Sequence, residues 1–338
     1  MDSIEALEER LTCPDPALID FMKTLDGDLV IVGVGGKMGP TLARMAARAD
    51  EAAGVSRRIT GVSTFSQSGL REQLESFGVT THKADLLAPG AVASLPDAAN
   101  VIYMLGRKFG STGAEWLTWA TNVLVAGRVA ERYAASRIVA FSSGNIYPFV
   151  PVDSGGATED TPPDPVGEYA MSCLGRERMF DHFSNEAGAR VLHYRLNYAV
   201  DLRYGVVVDI AQRVLRQEPV DLGAGFFNVI WQGYANSVAL KCLGLASSPP
   251  AILNVTGMER ASVRELATRL GELLGVAPVF RGTESPTALL SNASRCHARF
   301  GSPEVDLDMM VEWAAAWLKQ GGVTLNKPTH FEARDGKF

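Results

Sequence analysis

Short apolar runs recur along the first half of the chain and are separated by longer segments of mixed polarity. The run DLVIVGVGG is typical of a buried parallel strand in its length and its Val and Ile content. The runs RITGVST, VTTHKAD, NVIYMLG, RIVAFSS and ARVLHYRLN predict further strands. The segments at 40–54, 114–135 and 168–187 predict helices. This alternation predicts an α/β fold with a doubly wound parallel sheet and right-handed crossovers.

A glycine-rich loop lies between the first predicted strand and the helix that follows it. Its glycines leave the backbone bare, so a pyrophosphate can approach it, and the helix start offers free N–H groups. The alternative is a tight turn that binds no ligand. The predicted dinucleotide-binding loop comprises Gly33, Gly35, Gly36, Lys37, Met38 and Gly39.

The end of the second predicted strand does not decide between NAD and NADP. An acidic residue there would bind the ribose 2′-hydroxyl of NAD, and an arginine would bind the 2′-phosphate of NADP. The segment GVSTFSQSG has neither and offers Ser63 instead. Lys37 could help to hold a phosphate. The missing arginine favours NAD, and NADP stays open.

These patterns divide the chain into three parts. Residues 1–26 predict an amphipathic helical arm, and residues 27–197 predict a Rossmann-type dinucleotide-binding domain. Residues 198–338 mix helices with short strands and predict a smaller α+β substrate-binding region. Part of that region, about 228–256, is expected to return to the Rossmann core.

Composition excludes several classes of protein. The net charge of −6 gives no electrostatic footprint for nucleic acid. No apolar run is long enough to predict a membrane span, and the acidic N-terminus lacks the pattern of a secretory signal. The four cysteines and five histidines are scattered, which predicts reduced thiols, no metal site and a cytoplasmic location.

An ordered series of motifs accompanies the glycine loop. Asp85 and Leu86 follow the third strand, Asn122 lies in the long helix, and SSGNIY follows the fifth strand. The loop TEDTPPDP then precedes Tyr169, and YRLNYA comes later. Over roughly residues 27–260, the chain resembles the extended short-chain dehydrogenase/reductase family, the NAD-dependent epimerases and dehydratases.

The resemblance implies roles for the matching residues. Tyr169 would pass a proton while the nicotinamide exchanges a hydride, and Ser143 would hydrogen-bond the reacting hydroxyl or carbonyl. Asn122 would hold a backbone segment and a water near the site. The implied cofactor-binding set is Gly33, Gly35, Gly36, Lys37, Met38, Gly39, Ser63, Asp85, Leu86, Leu105 and Gly106. Candidate substrate-binding residues are Arg107, Lys108, Asn145, Asn197, Asn228 and Trp231. A core position fits Trp231 equally well.

One position departs sharply from the family pattern. Four residues after Tyr169, where the family has a lysine that lowers the tyrosine pKa and binds the nicotinamide ribose, this chain has Cys173. A neutral thiol can do neither. Arg176 lies on the same helix face and is the first candidate for a replacement cation, with Lys37, Arg107 and Lys108 as others.

Two further departures indicate a divergent subgroup. Ala199 stands where the family usually has glycine, and Tyr234 stands where an aspartate is usual. The last residues, KPTHFEARDGKF, match no motif with a known role.

Three functions fit this sequence. The first is an NAD(P)-dependent epimerase, dehydratase or dehydrogenase that acts on a carbohydrate, sugar acid or nucleotide sugar by hydride transfer. The second is a non-redox isomerase or lyase for an activated keto-sugar. The third is a catalytically lapsed NAD-binding sensor or scaffold. Cations after the fourth strand suggest an anionic substrate group. The resemblance also implies a homodimer formed through the helices at 114–135 and 168–187.

Overall fold

The computed structural model of the protein describes Met1, residues 3–327 and residues 329–337. Seven parallel strands form the central sheet. In chain order they are β1 Leu29–Val32, β2 Ile59–Ser63, β3 Thr80–Lys83, β4 Asn100–Tyr103, β5 Arg137–Ser143, β6 Arg190–Leu196 and β7 Ala251–Val255.

The order of the strands places a crevice at the middle of the sheet. It runs β7-β6-β5-β4-β1-β2-β3, so the chain moves outward from β1 in one direction and then returns to the other side of β1 with β4. The connections after β1 and β4 therefore diverge, and such a switch point is where ligands bind in open α/β sheets. The predicted α/β, doubly wound Rossmann-type fold is confirmed.

The described helices are α1 Ile4–Thr12, α2 Pro16–Thr24, α3 Gly39–Ala53, α4 Leu70–Ser76, α5 Glu115–Trp119, α6 Val125–Arg132, α7 Gly167–Ala187, α8 Val206–Leu215, α9 Gln232–Lys241, α10 Val263–Leu274, α11 Ser294–Phe300 and α12 Leu307–Lys319. A π-helical turn, Ala120–Leu124, joins α5 to α6. Helix α4 and the π-helical turn are elements that the sequence patterns did not reveal.

Alternate residues of the strands feed two cores, one on each face of the sheet. On one face Ile31 and Ile102 pack with apolar residues of α2, α3 and α9. On the other face Val30 and Val101 pack with residues of α6 and α7. Both faces of the sheet are thus covered, as the continuous apolar strands require.

The N-terminal arm consists of two helices that lie against the Rossmann domain. Asp15 lies between the two helices and caps the N-terminus of α2, where its side chain accepts a hydrogen bond from the backbone N–H of Leu18 at 2.8 Å. Leu7, Leu11 and Leu18 are fully buried. The apolar side of the arm therefore belongs to the protein core.

The C-terminal region has a separate core built on α8, α10 and α12. Helix α9 and strand β7, both within 228–256, lie with the Rossmann sheet and not with this core. Four short strand pairs tie the region together: Val150–Pro151 with Thr287–Ala288, Ala199–Val200 with Ile230–Trp231, Val220–Asp221 with Phe280–Arg281, and Phe226–Phe227 with Ala261–Ser262. In the described parts of the chain, no helix is both long and apolar enough to span a bilayer.

Candidate functional site

A cavity of about 480 Å³ lies at the carboxyl edge of the sheet, between the Rossmann domain and the C-terminal region. It brings together ten of the residues predicted from the sequence. They are Gly35, Gly36, Lys37, Met38, Gly106, Lys108, Ser143, Asn145, Tyr169 and Asn197, and Arg176 joins them.

The glycine loop forms one wall of this cavity through close backbone packing. Gly33 has a φ of +88°, and a Cβ atom there would lie 2.6 Å from the backbone nitrogen of Leu105. A side chain at Gly39 would collide with the backbone of Val34. Helix α3 starts at Gly39 without a side-chain cap, so its first N–H groups are available to an anion. These features fit the pyrophosphate of a dinucleotide.

Four predicted cofactor residues lie along the same edge but do not line the cavity. Ser63 ends β2 beneath Gly35, where its Oγ accepts a hydrogen bond from Phe65 N at 3.3 Å. Asp85 is exposed after β3 and accepts one from Leu87 N at 3.1 Å. Leu86 is buried, and Leu105 packs against Gly33. Their assignment to the cofactor stays a prediction.

Tyr169 and Ser143 meet in the cavity wall. The Tyr169 side chain lies close enough to those of Ser143 and Cys173 for both to influence its pKa. Burial raises the pKa of Tyr169 above its usual range, and Cys173 adds to the rise, while the charge of Arg176 and the Ser143 hydroxyl oppose it. Burial also raises the pKa of Cys173, so its thiol is neutral and unsuited to nucleophilic attack.

Arg176 reaches the cavity from the third turn of α7. Its Nη1 donates to the carbonyl of Phe141 at 2.7 Å, and its Nε donates to that of Asn122 at 3.4 Å. Its Nη2 is buried and has no hydrogen-bond partner among the described residues. A Cβ atom on Gly106 would lie 2.9 Å from Nη2, so glycine leaves the space that the guanidinium occupies.

Asn122 lies at the π-helical turn and is fully buried. Its side-chain oxygen accepts from Arg107 N at 2.7 Å, and its amide nitrogen donates to Arg107 O at 3.0 Å and to the Ser172 hydroxyl at 2.8 Å. Asn122 therefore ties the loop after β4 to helix α7. Single π-helical turns occur often at functional sites.

The structure corrects three of the predicted substrate contacts. Trp231 is buried in the core of the C-terminal region, where its ring meets that of Trp313 edge-on at 5.6 Å. Asn228 joins Glu259 to Ser291 through hydrogen bonds of 3.1 and 2.9 Å. Arg107 donates to Gly110 O at 2.8 Å in its own loop. None of the three lines the cavity.

Several cavity residues were not foreseen. Phe109, Tyr204, Lys327 and Thr329 all line it. Lys37 Nζ lies 3.2 Å from the centre of the Tyr204 ring and 4.6 Å from that of Phe109. No local motif marks these residues, because their proximity depends on how distant segments fold together.

The sheet order, the glycine loop and the serine–tyrosine pair define a Rossmann-type protein with a site for a dinucleotide. Residues 29–200 match the family described as NAD dependent epimerase/dehydratase. This match spans half of the sequence, and the chain belongs to that family. The predicted family and enzyme class are thereby confirmed, and NAD is the cofactor that the family takes its name from.

Several solved structures have a fold similar to that of this chain. UDP-glucose 4-epimerase from Thermotoga maritima, solved with UDP-glucose, has a TM-score of 0.71 and 17% identity. UDP-glucuronic acid 4-epimerase from Bacillus cereus, solved with NAD, has a TM-score of 0.70 and 16% identity. Each match covers 87% of this chain and 99% of the other.

A third similar structure is the UDP-glucose 4-epimerase of Thermus thermophilus in complex with NAD, with a TM-score of 0.69 and 21% identity. The match covers 86% of this chain and 99% of the other. No curated protein sequence matches the chain. The homodimer and the cytoplasmic location stay predictions.

Proposed function

We propose that the protein binds NAD and transfers a hydride between its nicotinamide and a secondary alcohol carbon of a sugar nucleotide, as an epimerase, dehydratase or dehydrogenase. One observation carries the proposal: Tyr169 and Ser143 line the same cavity as the glycine loop. A proton-transfer group thus lies in the same cavity as the residues that would hold a dinucleotide.

Each group has a defined part in this reaction. The loop with Gly35 and Gly36, together with the uncapped start of α3, would hold the pyrophosphate. Bound NAD supplies the hydride acceptor. Ser143 would hydrogen-bond the substrate oxygen, and Tyr169 would take the hydroxyl proton as the carbonyl forms. Asn122 has an indirect role, because its side chain holds the backbone of Arg107.

The class of substrate follows from the structural neighbours. The three similar enzymes are named for UDP-glucose or UDP-glucuronic acid. Their likeness to this chain extends over both the Rossmann domain and the C-terminal region, because the matches cover 86 to 87% of the chain. This supports a sugar nucleotide, and UDP sugars are the first substrates to test.

Arg176 takes over the part of the missing lysine in this proposal. It is a cation near Tyr169 that lowers the pKa of that residue. Its free Nη2 would donate to an oxygen of the bound cofactor. An arginine stays charged at every pH at which the protein is folded. The small side chain of Cys173 stands in the lysine position without adding a second cation.

A substitution pair tests this role. Arg176→Met is expected to move the rising limb of the pH–rate profile to higher pH by about one pH unit or more, because Tyr169 loses the positive charge that lowers its pKa and must still lose its proton. Adding Cys173→Lys in the same chain is expected to return the limb toward its original position. The measurement is hydride transfer against pH, followed by nicotinamide absorption.

Arg178→Met is the matched control, since Arg178 lies on the same helix, is exposed and pairs with Asp181. It is expected to leave the profile unchanged. If Arg176→Met also left the pH–rate profile unchanged, Arg176 would have a structural role only.

A second candidate function is supported by one observation, the raised pKa of Tyr169. A tyrosine with a raised pKa stays protonated at neutral pH, so it can act as a proton donor but not as a base. The cavity could then serve a non-redox isomerase or lyase in which Tyr169 acts as an acid. Turnover of a keto-sugar without any change in the nicotinamide spectrum would favour this function.

We also propose a homodimer formed by α5, α6 and α7. Trp116 in α5 is 72% exposed, Leu124 in the π-helical turn 49% and Met171 in α7 43%. Light scattering is expected to give twice the chain mass of 36.3 kDa, and Leu124→Glu is expected to give a single chain. A wild-type mass of one chain would contradict the proposal.

A further inference from the structure

The charged side chains that line the cavity all have the same sign. They are Lys37, Lys108, Arg176 and Lys327, and no described carboxylate lines it. The whole chain, in contrast, has a net charge of −6. The pyrophosphate of a dinucleotide would offset part of this charge at the glycine loop, where Lys37 lies. Asp209 and Glu332 act on Lys108 without lining the cavity. The cavity wall itself presents only positive side chains, which suits a second anion.

Lys108 places part of this charge beside the reacting groups. Its Nζ lies 5.8 Å from the centre of the Tyr169 ring and 5.5 Å from that of Phe109. Burial lowers the pKa of Lys108 to about 8. Burial, and then repulsion from Lys108 and Lys327, lowers the pKa of Lys37 to about 7. A bound anion would relieve this repulsion.

The C-terminal segment, defined here as residues 324–327 and 329–337, completes this side of the cavity. Lys327 and Thr329 are its lining residues. The carbonyl of Thr329 accepts a hydrogen bond from Lys108 Nζ at 3.3 Å. The carboxylate of Asp209 on α8 accepts two from Thr329, from its N–H at 2.6 Å and its hydroxyl at 2.5 Å. The segment thereby holds Lys108 and contributes Lys327 to the cavity wall.

Further contacts fix the C-terminal segment on the protein. Phe331 is buried against Phe227, with ring centres 6.2 Å apart. Arg334 donates to the carbonyl and hydroxyl of Thr287, both at 2.7 Å. The backbone of Gly336 packs directly against that of Gly167 at the start of α7, two residues before Tyr169. These contacts hold the C-terminal segment in place as part of the cavity wall.

We propose that this cavity binds a substrate with an anionic group, a carboxylate or a phosphate, close to its reacting carbon, and that Lys108 and Lys327 bind that group. The inference rests on the proposed function and narrows its substrate to acidic sugars. The diphosphate of a UDP sugar is not the anionic group proposed here. Lys108 lies beside Tyr169, where the sugar ring reacts, so the group that it binds belongs to the sugar itself.

Calorimetric titration of the NAD-loaded protein tests the proposal with two matched pairs of ligands. UDP-glucuronate is compared with UDP-glucose for a carboxylate, and glucose 6-phosphate is compared with glucose for a phosphate. The acidic member of at least one pair is expected to bind about tenfold more tightly or better, since hydrogen bonds to charged groups are strong. Lys108→Met and Lys327→Met are each expected to remove most of that preference.

Lys337→Met is the matched control, because Lys337 is exposed in the same segment and pairs with Asp335. It is expected to keep the preference. Equal binding within both pairs would overturn the inference, and so would lysine variants that weaken NAD binding but retain the preference. If NAD itself does not bind, the proposed function fails instead. The NAD titration thus separates the two failures.

Discussion

Tyr169→Phe is expected to lower the rate of hydride transfer by about 10²- to 10⁴-fold, the usual contribution of a positioned acid–base group. The variant removes only the hydroxyl, the proton-transfer group that Tyr169 presents in the cavity wall it shares with Ser143. The ring still fills its place beside Lys108. NAD affinity and thermal stability are therefore expected to stay close to the wild-type values. Single-turnover absorption of the nicotinamide measures the rate.

Tyr133→Phe is the control for loss of a tyrosine hydroxyl. Tyr133 is buried in the Rossmann core, and its hydroxyl donates to Pro96 O at 2.8 Å, outside the cavity. This variant is expected to lose stability and keep its rate. If Tyr169→Phe kept the wild-type rate, the proton would pass through another group, and the assignment of Tyr169 would be wrong.

Glu177→Gln is expected to cause the largest loss of stability, about 3–5 kcal/mol in the free energy of unfolding, because it leaves a buried arginine without its counter-charge. Glu177 and Arg195 are both almost fully buried and form a two-pronged pair with distances of 3.0 and 2.8 Å. Arg195 also donates to Tyr147 at 2.7 Å, and Tyr147 donates to Asn254 at 2.8 Å. Denaturant unfolding measures the loss.

Glu272→Gln is the matched control for that variant. Glu272 pairs with Arg269 on α10 at 3.3 Å, and more than half of each side chain is exposed. Exposed pairs contribute about 0–1 kcal/mol, so this control is expected to change the unfolding free energy little. Equal losses for the two variants would mean that burial does not set the strength of the Glu177–Arg195 pair.

Local patterns predicted the sheet and one wall of the site. Strand β1 and most of β5 are apolar on both faces, and the glycine loop immediately follows β1, so both features were visible in short stretches of sequence. Arg176 could be placed on the face of Tyr169 by helical geometry alone. Helix α4 was missed because its seven residues, LREQLES, contain only two buried apolar positions.

The rest of the site depends on contacts between residues far apart in the sequence. Lys108 and Thr329 are separated by 221 residues, and Asp209 and Thr329 by 120. No periodicity or spacing records such pairs. The sequence left open whether Trp231 contacts substrate or packs in the core for the same reason: its strand pairs with Ala199–Val200, and that pairing sends its ring into the core of the C-terminal region.

The central claim is that this protein moves a hydride between a sugar nucleotide and NAD. Mixing the wild-type protein, loaded with stoichiometric NAD, with UDP-glucuronate or UDP-glucose tests the claim most directly. We predict that reduced nicotinamide forms within a single turnover with at least one of the two sugars. Binding of both NAD and a UDP sugar, with the nicotinamide remaining oxidised throughout, would contradict it.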